Sequence, residues 1–356
     1  MADKSIQAIQ MAIKKKRYDW EAFESPLSAM SEEQQKSLLG LVVTKEELEA
    51  TAQAIKSVEK LVALLAAPAA PTAVDWRSNG GNWVTPVKDQ KSCGSCVAFG
   101  TVAALESRTR IACRNASLNI DLAEAHLFYC GCGNCCSTGW NCPPALDFCK
   151  NTGVGLETSF PYTPGNPPCK AGVAPYGKIT AWSAVLSSAD RKSVLASKGP
   201  MVSCMAVYAD FFAYRSGVYK VTTTDLRGYH CICVVGYDDA LGCWICKNSW
   251  GTTWGDAGFF KIGYGQSMID TSFPFYDMTA VCPSPAPTPC TRYVPYLRNV
   301  LLAARSNAML RSCLKYYVCG ATPRPLCSPA VIAVVRNVLL ILRNCPQYRR
   351  PFCAAL

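Results

Sequence analysis

The stretch that decides the fold is Gln90-Lys91-Ser92-Cys93-Gly94-Ser95-Cys96-Val97-Ala98-Phe99-Gly100. Cys96 stands there at the end of a Gly/Ser turn, immediately before a helix-compatible run through Val102 and Leu105. A thiol at the N-terminus of a helix faces unpaired N–H groups and the positive end of the helix dipole, which favour thiolate over thiol. Cys96 is therefore a candidate nucleophile, and its alternative role is one more half-cystine among 22 cysteines.

The chain has two histidines. His230 opens an apolar, strand-like run that ends at Tyr237, so its ring can face a cleft while its backbone is held rigidly. Asn248 follows another apolar strand, where its side-chain oxygen can orient the imidazole, with Trp250 shielding that contact. Cysteine, histidine and asparagine are the three parts of a cysteine-type catalytic triad. We expect the second histidine, His126, to be a packed or surface residue rather than a catalyst.

Further motifs extend in order along the chain on both sides of these residues. They are Val74–Arg77, Thr85–Gln90, Cys93–Cys96, Leu122–Cys130, Phe160–Tyr162, Lys198–Pro200, Tyr214–Tyr219 and Asn248–Gly255. In content and order they resemble the papain family (C1) of cysteine peptidases. The resemblance implies an α+β fold of two lobes, with a helical left lobe and an antiparallel β right lobe. Strands are predicted at Met201–Tyr208, Cys231–Tyr237, Cys243–Asn248 and Gly258–Ile262.

The resemblance also implies a role for each candidate residue. Cys96 attacks the scissile carbonyl to form a thioester acyl-enzyme, and His230 exchanges the proton. Asn248 orients His230, and Gln90 donates to the oxyanion together with the backbone N–H of Cys96. The candidate substrate-binding residues are Gly139, Trp140, Met205, Cys231 and Trp250. Trp140 departs from the family, which has a glycine pair there, and we expect its side chain to narrow the groove.

Composition divides the chain into four parts. Residues 1–73 form a predicted helical propeptide, 74–282 the peptidase domain, 283–289 a Pro-rich linker, and 290–356 a small helical module. The formal charge is +11, yet residues 283 to 356 alone hold 10 basic and no acidic residues. Because the excess lies in the tail, the sequence argues against a nucleic-acid-binding surface on the main domain.

The N-terminal part is predicted to inhibit the enzyme until it is cut. Helix-compatible spacing occurs in Ser31–Leu41 and Lys45–Leu65. We expect Lys56–Ala73 to lie through the cleft, with a simple helical arm as the alternative. Residues 1–20 show no signal peptide, and no window of about 20 apolar residues predicts a membrane span.

The cysteine content favours an extracytoplasmic or lysosome-like compartment, a conclusion that conflicts with the missing signal peptide. The resemblance suggests disulfides between Cys130 and Cys169, and between Cys93 and either Cys135 or Cys136. Two C-x-x-C pairs could instead hold zinc, but disulfides are favoured because no histidine or carboxylate supports a metal site. These pairs are Cys132 with Cys135 and Cys243 with Cys246. With Cys96 a thiolate, 21 cysteines remain, so at least one more is free or pairs between chains. No metal or cofactor is expected.

The tail contains an internal duplication, in which Arg298–Arg305 recurs as Arg336–Arg343. Each copy brings three cysteines, and two repeats are too few to support themselves without bridges. The predicted disulfide-stapled module is basic, which fits attachment to an anionic membrane or glycan surface. The alternative is that Val331–Leu342 is only the core of the module and that the arginines are solvated.

Taken together, the sequence predicts a cysteine endopeptidase made as a zymogen, acting on polypeptide substrates and inhibited by its own propeptide. Two alternatives stay open at this level. One is a papain-fold acyl-transferase or peptide ligase, in which an amine replaces water. The other is a catalytically silent binding protein on the same scaffold.

Overall fold

The computed structural model describes residues 6–64, 70–283 and 293–356. The chain separates into two compact units, residues 1–283 and 284–356. The first unit is a mixed α+β structure, and this confirms the predicted fold class.

The N-terminal segment of the first unit is mostly helical. Its elements are α1 (Ile6–Lys16), β1 (Glu21–Ala22), α2 (Glu32–Lys36) and α3 (Lys45–Val62). Ser31 and Thr44 begin α2 and α3 with capping boxes, in which each side chain accepts a hydrogen bond from the third residue of its helix. The helix predicted over Ser31–Leu41 is shorter than expected, because α2 ends at Lys36.

The helical lobe is built around the helix that begins at the candidate nucleophile. Its helices are α4 (Cys96–Ala112), α5 (Glu124–Gly131) and α6 (Cys142–Asn151). Every residue of α4 from Cys96 to Thr109 is buried. A helix that is enclosed on all sides is held rigidly, so the position of Cys96 is fixed by packing.

The β lobe is an eight-stranded sheet within the described residues, accompanied by α7 (Ser188–Lys198). Its strands are β2 (Ala73–Asp75), β3 (Ile179–Val185), β4 (Met201–Tyr208), β6 (Val218–Tyr219), β7 (Leu226–Asp238), β8 (Cys243–Lys247), β9 (Phe259–Gly263) and β10 (Phe275–Ala280); β5 (Tyr214–Ser216) pairs with β1 instead. The order is β3-β10-β4-β7-β8-β9-β6, with β2 paired to β7. All pairings are antiparallel except that of β6 with β9. The four predicted strands correspond to β4, β7, β8 and β9.

Disulfides close several loops of the first unit. Cys130 pairs with Cys169 as predicted, and Cys93 pairs with Cys136 rather than Cys135. Cys132 joins Cys135, and a bridge that the sequence did not suggest joins Cys113 to Cys282. The preference for disulfides was wrong for the second C-x-x-C pair, because Cys243 and Cys246 are buried free thiols on β8.

The second unit is a small bundle of helices, as predicted. They are α8 (Val294–Ser306), α9 (Ala308–Cys319), α10 (Pro329–Asn344) and α11 (Arg349–Ala355). Disulfides Cys313–Cys327 and Cys319–Cys353 link the two copies of the duplication. Among the described residues no single helix has the length and hydropathy of a bilayer span; only the bent pair Pro329–Arg343 and Pro346–Ala355, taken together, does.

Candidate active site

Cys96 is the first residue of α4 and is fully enclosed. Its Sγ accepts a hydrogen bond from the backbone N–H of Cys231 at 3.4 Å. Since Cys231 directly follows His230 on β7, this bond ties the sulfur to the strand that carries the candidate base. The backbone N–H of Gly40, in the N-terminal segment, lies close enough to Cys96 to lower the pKa of its thiol.

His230 and Asn248 form the contact that the sequence analysis predicted. Asn248 Oδ1 lies 2.8 Å from His230 Nε2 and also accepts the N–H of Ser249 at 2.8 Å. The ring of Trp250 is 4.8 Å from the imidazole and covers it. Because Asn248 Oδ1 can only accept, it selects the tautomer with the proton on Nε2. His230 Nδ1 is buried and has no hydrogen-bond partner among the described residues.

Gln90 is buried beside the nucleophile and is already holding a carbonyl group. Its Nε2 donates to the backbone oxygen of Leu38 at 3.0 Å and to that of Cys93 at 2.9 Å. Its Oε1 accepts from Ser249 Oγ at 2.6 Å, which fixes the orientation of the amide. The group predicted to stabilise an oxyanion therefore binds the oxygen of a peptide bond in this structure.

The segment that fills the cleft is residues 38–43. The described parts of Lys56–Ala73, which was predicted to do so, lie elsewhere: its start belongs to α3 and Ala73 begins β2, whereas residues 65–69 lie outside the described residues. Gly40 O accepts the N–H of Trp140 at 2.8 Å, and Val42 N–H donates to Trp140 O at 3.0 Å. Leu41 pairs with Trp140 in parallel register and donates to Tyr229 O at 3.3 Å. These bonds to the cleft replace the helical bonds that would have continued α2, which explains its early end.

Gly40 lies in close contact with the backbone at Gly94 and Gly139. A Cβ added to Gly40 would lie 1.8 Å from the carbonyl oxygen of Gly94, and one added to Gly139 would lie 2.4 Å from Gly40 O. Both distances are far below any real Cβ contact, and the opposing atoms are backbone. Only glycines let three backbone segments approach this closely.

Burial of the two central groups controls their protonation. Burial raises the pKa of the Cys96 thiol to about 12, although the N–H groups of Cys231 and Gly40 oppose the shift. Burial also lowers the pKa of His230 to about 4, although the hydrogen bond that the ring donates to Asn248 Oδ1 opposes this shift. With the segment in place both shifts favour a neutral thiol and a neutral imidazole, rather than the thiolate that the helix N-terminus was expected to favour at Cys96.

The candidate substrate-binding residues fall into two groups. Gly139, Trp140 and Cys231 face the cleft with backbone groups, and Trp250 covers the His230–Asn248 contact. Trp140 does not narrow the groove, because its ring packs on Phe128 and lies close to Gly131 in the helical lobe.

Met205 is the exception among these residues. It is fully buried in the apolar core of the β lobe, and the substrate-binding role predicted for it stays a prediction. Cys204, its neighbour on β4, lines the cavity that Leu41 and Val43 enter.

The sequence analysis missed four residues at the site. Leu38 and Gly40 occupy the cleft, and Ser249 holds Gln90. Cys204 belongs to a buried cluster of cysteines, in which its Sγ lies 3.4 Å from Cys142 Sγ. The motif following Asn248 pointed to Ser249, whereas the other three carry no local signal. His126 accepts the N–H of Gly155 at its Nδ1 and is a packed residue, as expected.

Residues 70–275 match the family model described as papain family cysteine protease. The match covers more than half of the chain and contains every residue of the candidate triad.

The chain belongs to the papain family of cysteine proteases.

Relatives within this family include two proteins of Entamoeba histolytica. Cysteine proteinase 2 is 38% identical over 54% of this chain and 64% of its own length. Cysteine proteinase 1 is 32% identical over 67% of this chain and 74% of its own length. The chain thus spans just under two thirds of the first relative and about three quarters of the second.

The solved structure of procathepsin B S9 from Trypanosoma congolense shares the fold. It aligns with a TM-score of 0.64 at 22% identity, covering 78% of this chain and 98% of that chain. The structural alignment covers 78% of this chain, which is more than residues 70–275 make up. It therefore extends beyond the region that matches the papain-family model.

Proposed function

We propose that this papain-family protein is a cysteine endopeptidase made as a zymogen, with Cys96, His230, Asn248 and Gln90 as its catalytic residues. The observation that carries the proposal is the Leu38 carbonyl, which accepts a hydrogen bond from Gln90 Nε2. Two residues further along the chain, the backbone of Gly40 lies beside Cys96, where its N–H lowers the pKa of the thiol. A polypeptide of this chain thus occupies the positions that a substrate would take.

The same contacts account for latency. Cys96 Sγ accepts the N–H of Cys231 and lies beside the backbone of Gly40 rather than a carbonyl carbon placed for attack. Burial shifts the pKa values of Cys96 and His230 toward the neutral forms, which disfavours the thiolate needed for attack. Residues 38–43 therefore inhibit by occupation and by desolvation of the pair. The boundary of the propeptide at residue 73 stays a prediction.

Departure of residues 38–43 would start the reaction. Cys96 transfers its proton to the unpartnered Nδ1 of His230, whose Nε2–H stays on Asn248 Oδ1. The thiolate attacks the carbonyl carbon of a substrate, and Gln90 Nε2 with the N–H of Cys96 receives the oxyanion. His230 returns the proton to the leaving amine, and water activated by His230 then hydrolyses the thioester.

The test is hydrolysis of blocked peptide amides by the purified chain before and after propeptide removal. We expect turnover only after removal, and none with Cys96→Ala. Labelling of Cys96 by a thiol-directed epoxide should follow the same pattern. A processed chain that neither turns over nor labels would favour the silent binding protein. Transfer to an added amine in preference to water would favour the acyl-transferase.

For the second unit we propose attachment to an anionic surface, either phospholipid or glycan. The apolar faces of α8 and α10 are used internally, since Val300, Val338 and Ile341 are buried in the module core. Attachment would therefore depend on the exposed basic side chains rather than on insertion of an amphipathic helix. The exposed ones are Arg298, Arg305, Lys315, Arg324, Arg336, Arg343, Arg349 and Arg350.

We also propose an extracytoplasmic compartment, which is supported by the disulfides of both units. Mapping of the disulfides in protein isolated from its natural compartment would test this; reduced Cys130 and Cys169 would contradict it.

A further inference from the structure

Three buried cysteines converge beside the nucleophile. Cys142 Sγ lies 3.4 Å from Cys204 Sγ and 3.6 Å from Cys231 Sγ, and all three sulfurs are within 4.8 Å of one another. None of the three is in a disulfide, and each is at most 2% exposed. The mechanism proposed above uses none of these thiols.

The fold brings the three sulfurs together from distant parts of the sequence. Cys204 and Cys231 are directly opposite each other on the antiparallel strands β4 and β7, so their side chains share one face of the sheet. Cys142 is the first residue of α6, which approaches that face from the helical lobe. The N-terminus of a helix favours a thiolate at this position.

The spacing suits one soft metal ion. Zinc binds thiolates at about 2.3 Å, which places the sulfurs of a tetrahedral site about 3.8 Å apart. The separations of Cys142 Sγ from the other two sulfurs differ from this value by only a few tenths of an ångström, and the third separation is at most 4.8 Å. Cys142 Sγ lies within hydrogen-bonding distance of both other sulfurs, so a bound cation would displace the thiol protons at this point.

A cavity leaves room for a fourth ligand. Cys142 and Cys204 line a space of about 400 Å³ together with Tyr276 and the propeptide residues Leu41 and Val43. Three protein ligands with one accessible position are the arrangement of an open zinc site rather than a closed structural one. A disulfide between two of the thiols would leave the third unpaired, whereas one ion engages all three.

We propose that Cys142, Cys204 and Cys231 bind one soft divalent metal ion, Zn²⁺ in the first instance, with the fourth coordination position open to this cavity. The ion links α6 of the helical lobe to β4 and β7 of the sheet. It also lies next to the backbone N–H that holds Cys96 Sγ, because that N–H belongs to Cys231. Metal binding should therefore stabilise the two-lobe unit.

The experiment uses the full chain carrying Cys96→Ala, so that the nucleophile cannot act as a ligand and no activity is required. Co²⁺ is titrated as the spectroscopic probe. We expect one Co²⁺ per chain, with thiolate-to-cobalt charge-transfer absorption and the visible bands of a tetrahedral site. Zn²⁺ should displace the Co²⁺ and raise the midpoint of thermal unfolding by roughly 5 °C at saturation.

Single variants Cys142→Ser, Cys204→Ser and Cys231→Ser should each weaken Co²⁺ binding by at least about 10²-fold and reduce the charge-transfer intensity. Cys149→Ser is the matched control, because Cys149 is another buried free thiol of α6 outside the cluster. It should bind as the parent does. X-ray absorption of the Zn²⁺-loaded parent should give three sulfurs at about 2.3 Å and needs no variant that might misfold.

Three results would overturn the proposal. They are no Co²⁺ binding, binding at one equivalent that the cluster variants leave unchanged, and a disulfide between two of the three cysteines in the chain as isolated. None of these results bears on peptide hydrolysis, so failure of the metal site and failure of the proposed function are distinguishable.

Discussion

Cys96 and His230 are enclosed by the propeptide, and their protonation follows from that enclosure. Burial moves the two pKa values apart, to about 12 for the thiol and about 4 for the imidazole. Both shifts favour the neutral forms, which a desolvated site can hold at little cost. Exposure of the pair to solvent would reverse the order of the two pKa values, because a thiolate and an imidazolium in contact stabilise each other.

We therefore expect the charge on His230 to differ between the unprocessed zymogen and the processed enzyme. In the unprocessed chain the ring should stay neutral, with its proton on Nε2, as pH falls to about 4. After processing it should be protonated at neutral pH. Nitrogen-detected NMR of the imidazoles is suitable because the chain has two histidines. His126 serves as internal reference, and a charged His230 ring at pH 6 in the unprocessed chain would contradict the prediction.

Gln90 is expected to act on turnover more than on substrate binding. Gln90→Ala in the processed enzyme should lower kcat by on the order of 10²–10³ with little change in KM, since the oxyanion forms only during the reaction. Gln266→Ala is the control, because Gln266 bonds to Val221 N–H outside the cleft. Steady-state kinetics on one peptide amide measures both constants. A change confined to KM would show that Gln90 only binds substrate.

At the scale of the element, residues 38–43 follow α2 and precede α3, and this arrangement fixes where the chain enters the cleft. Trp20 anchors the segment further upstream: it is buried against Tyr219 at 5.1 Å between ring centres and donates to Lys220 O. Glu32 of α2 forms an ion pair with Arg227 at 2.6 Å. The cleft-filling stretch is thus anchored on its N-terminal side by packed elements.

Gly40→Ala should weaken latency. The added Cβ would meet the Gly94 carbonyl, so the backbone must move away from Cys96 and Trp140. Overpacking of this kind costs about 1–3 kcal/mol, which corresponds to roughly 10–10² in the rate of propeptide release. The measurement is the half-time of autoprocessing. Gln53→Ala, on the exposed side of α3, should process like the parent, and an equal half-time for Gly40→Ala would refute the assigned role.

At the scale of the whole molecule, we expect the first unit to carry catalysis and the second unit to carry attachment to an anionic surface. Deletion of residues 283–356 should leave kcat/KM for peptide hydrolysis unchanged, because all proposed catalytic residues lie in the first unit. The deletion should abolish retention on vesicles containing anionic lipid or on a sulfated glycan, whichever the full chain binds. Neutral vesicles are the control. Retention that survives the deletion, or that ignores salt, would exclude attachment through the basic module.

The sequence by itself determined the family and pointed to the candidate triad and Gln90, because these residues stand in short motifs whose local geometry is set by a turn, a helix start or a strand end. Cys130–Cys169 followed from the resemblance, and the strands from their apolar, β-branched runs. Local patterns also placed α3 within a few residues of its observed ends.

Only the tertiary structure decided which residues fill the cleft, because Leu38 and Gly40 depend on partners far along the chain. It likewise decided that Met205 is core and that Cys142, Cys204 and Cys231 meet. Sequence spacing reports neighbours along one helix or strand. Contacts between a helix and a sheet are selected by packing of the whole unit, which no local pattern records.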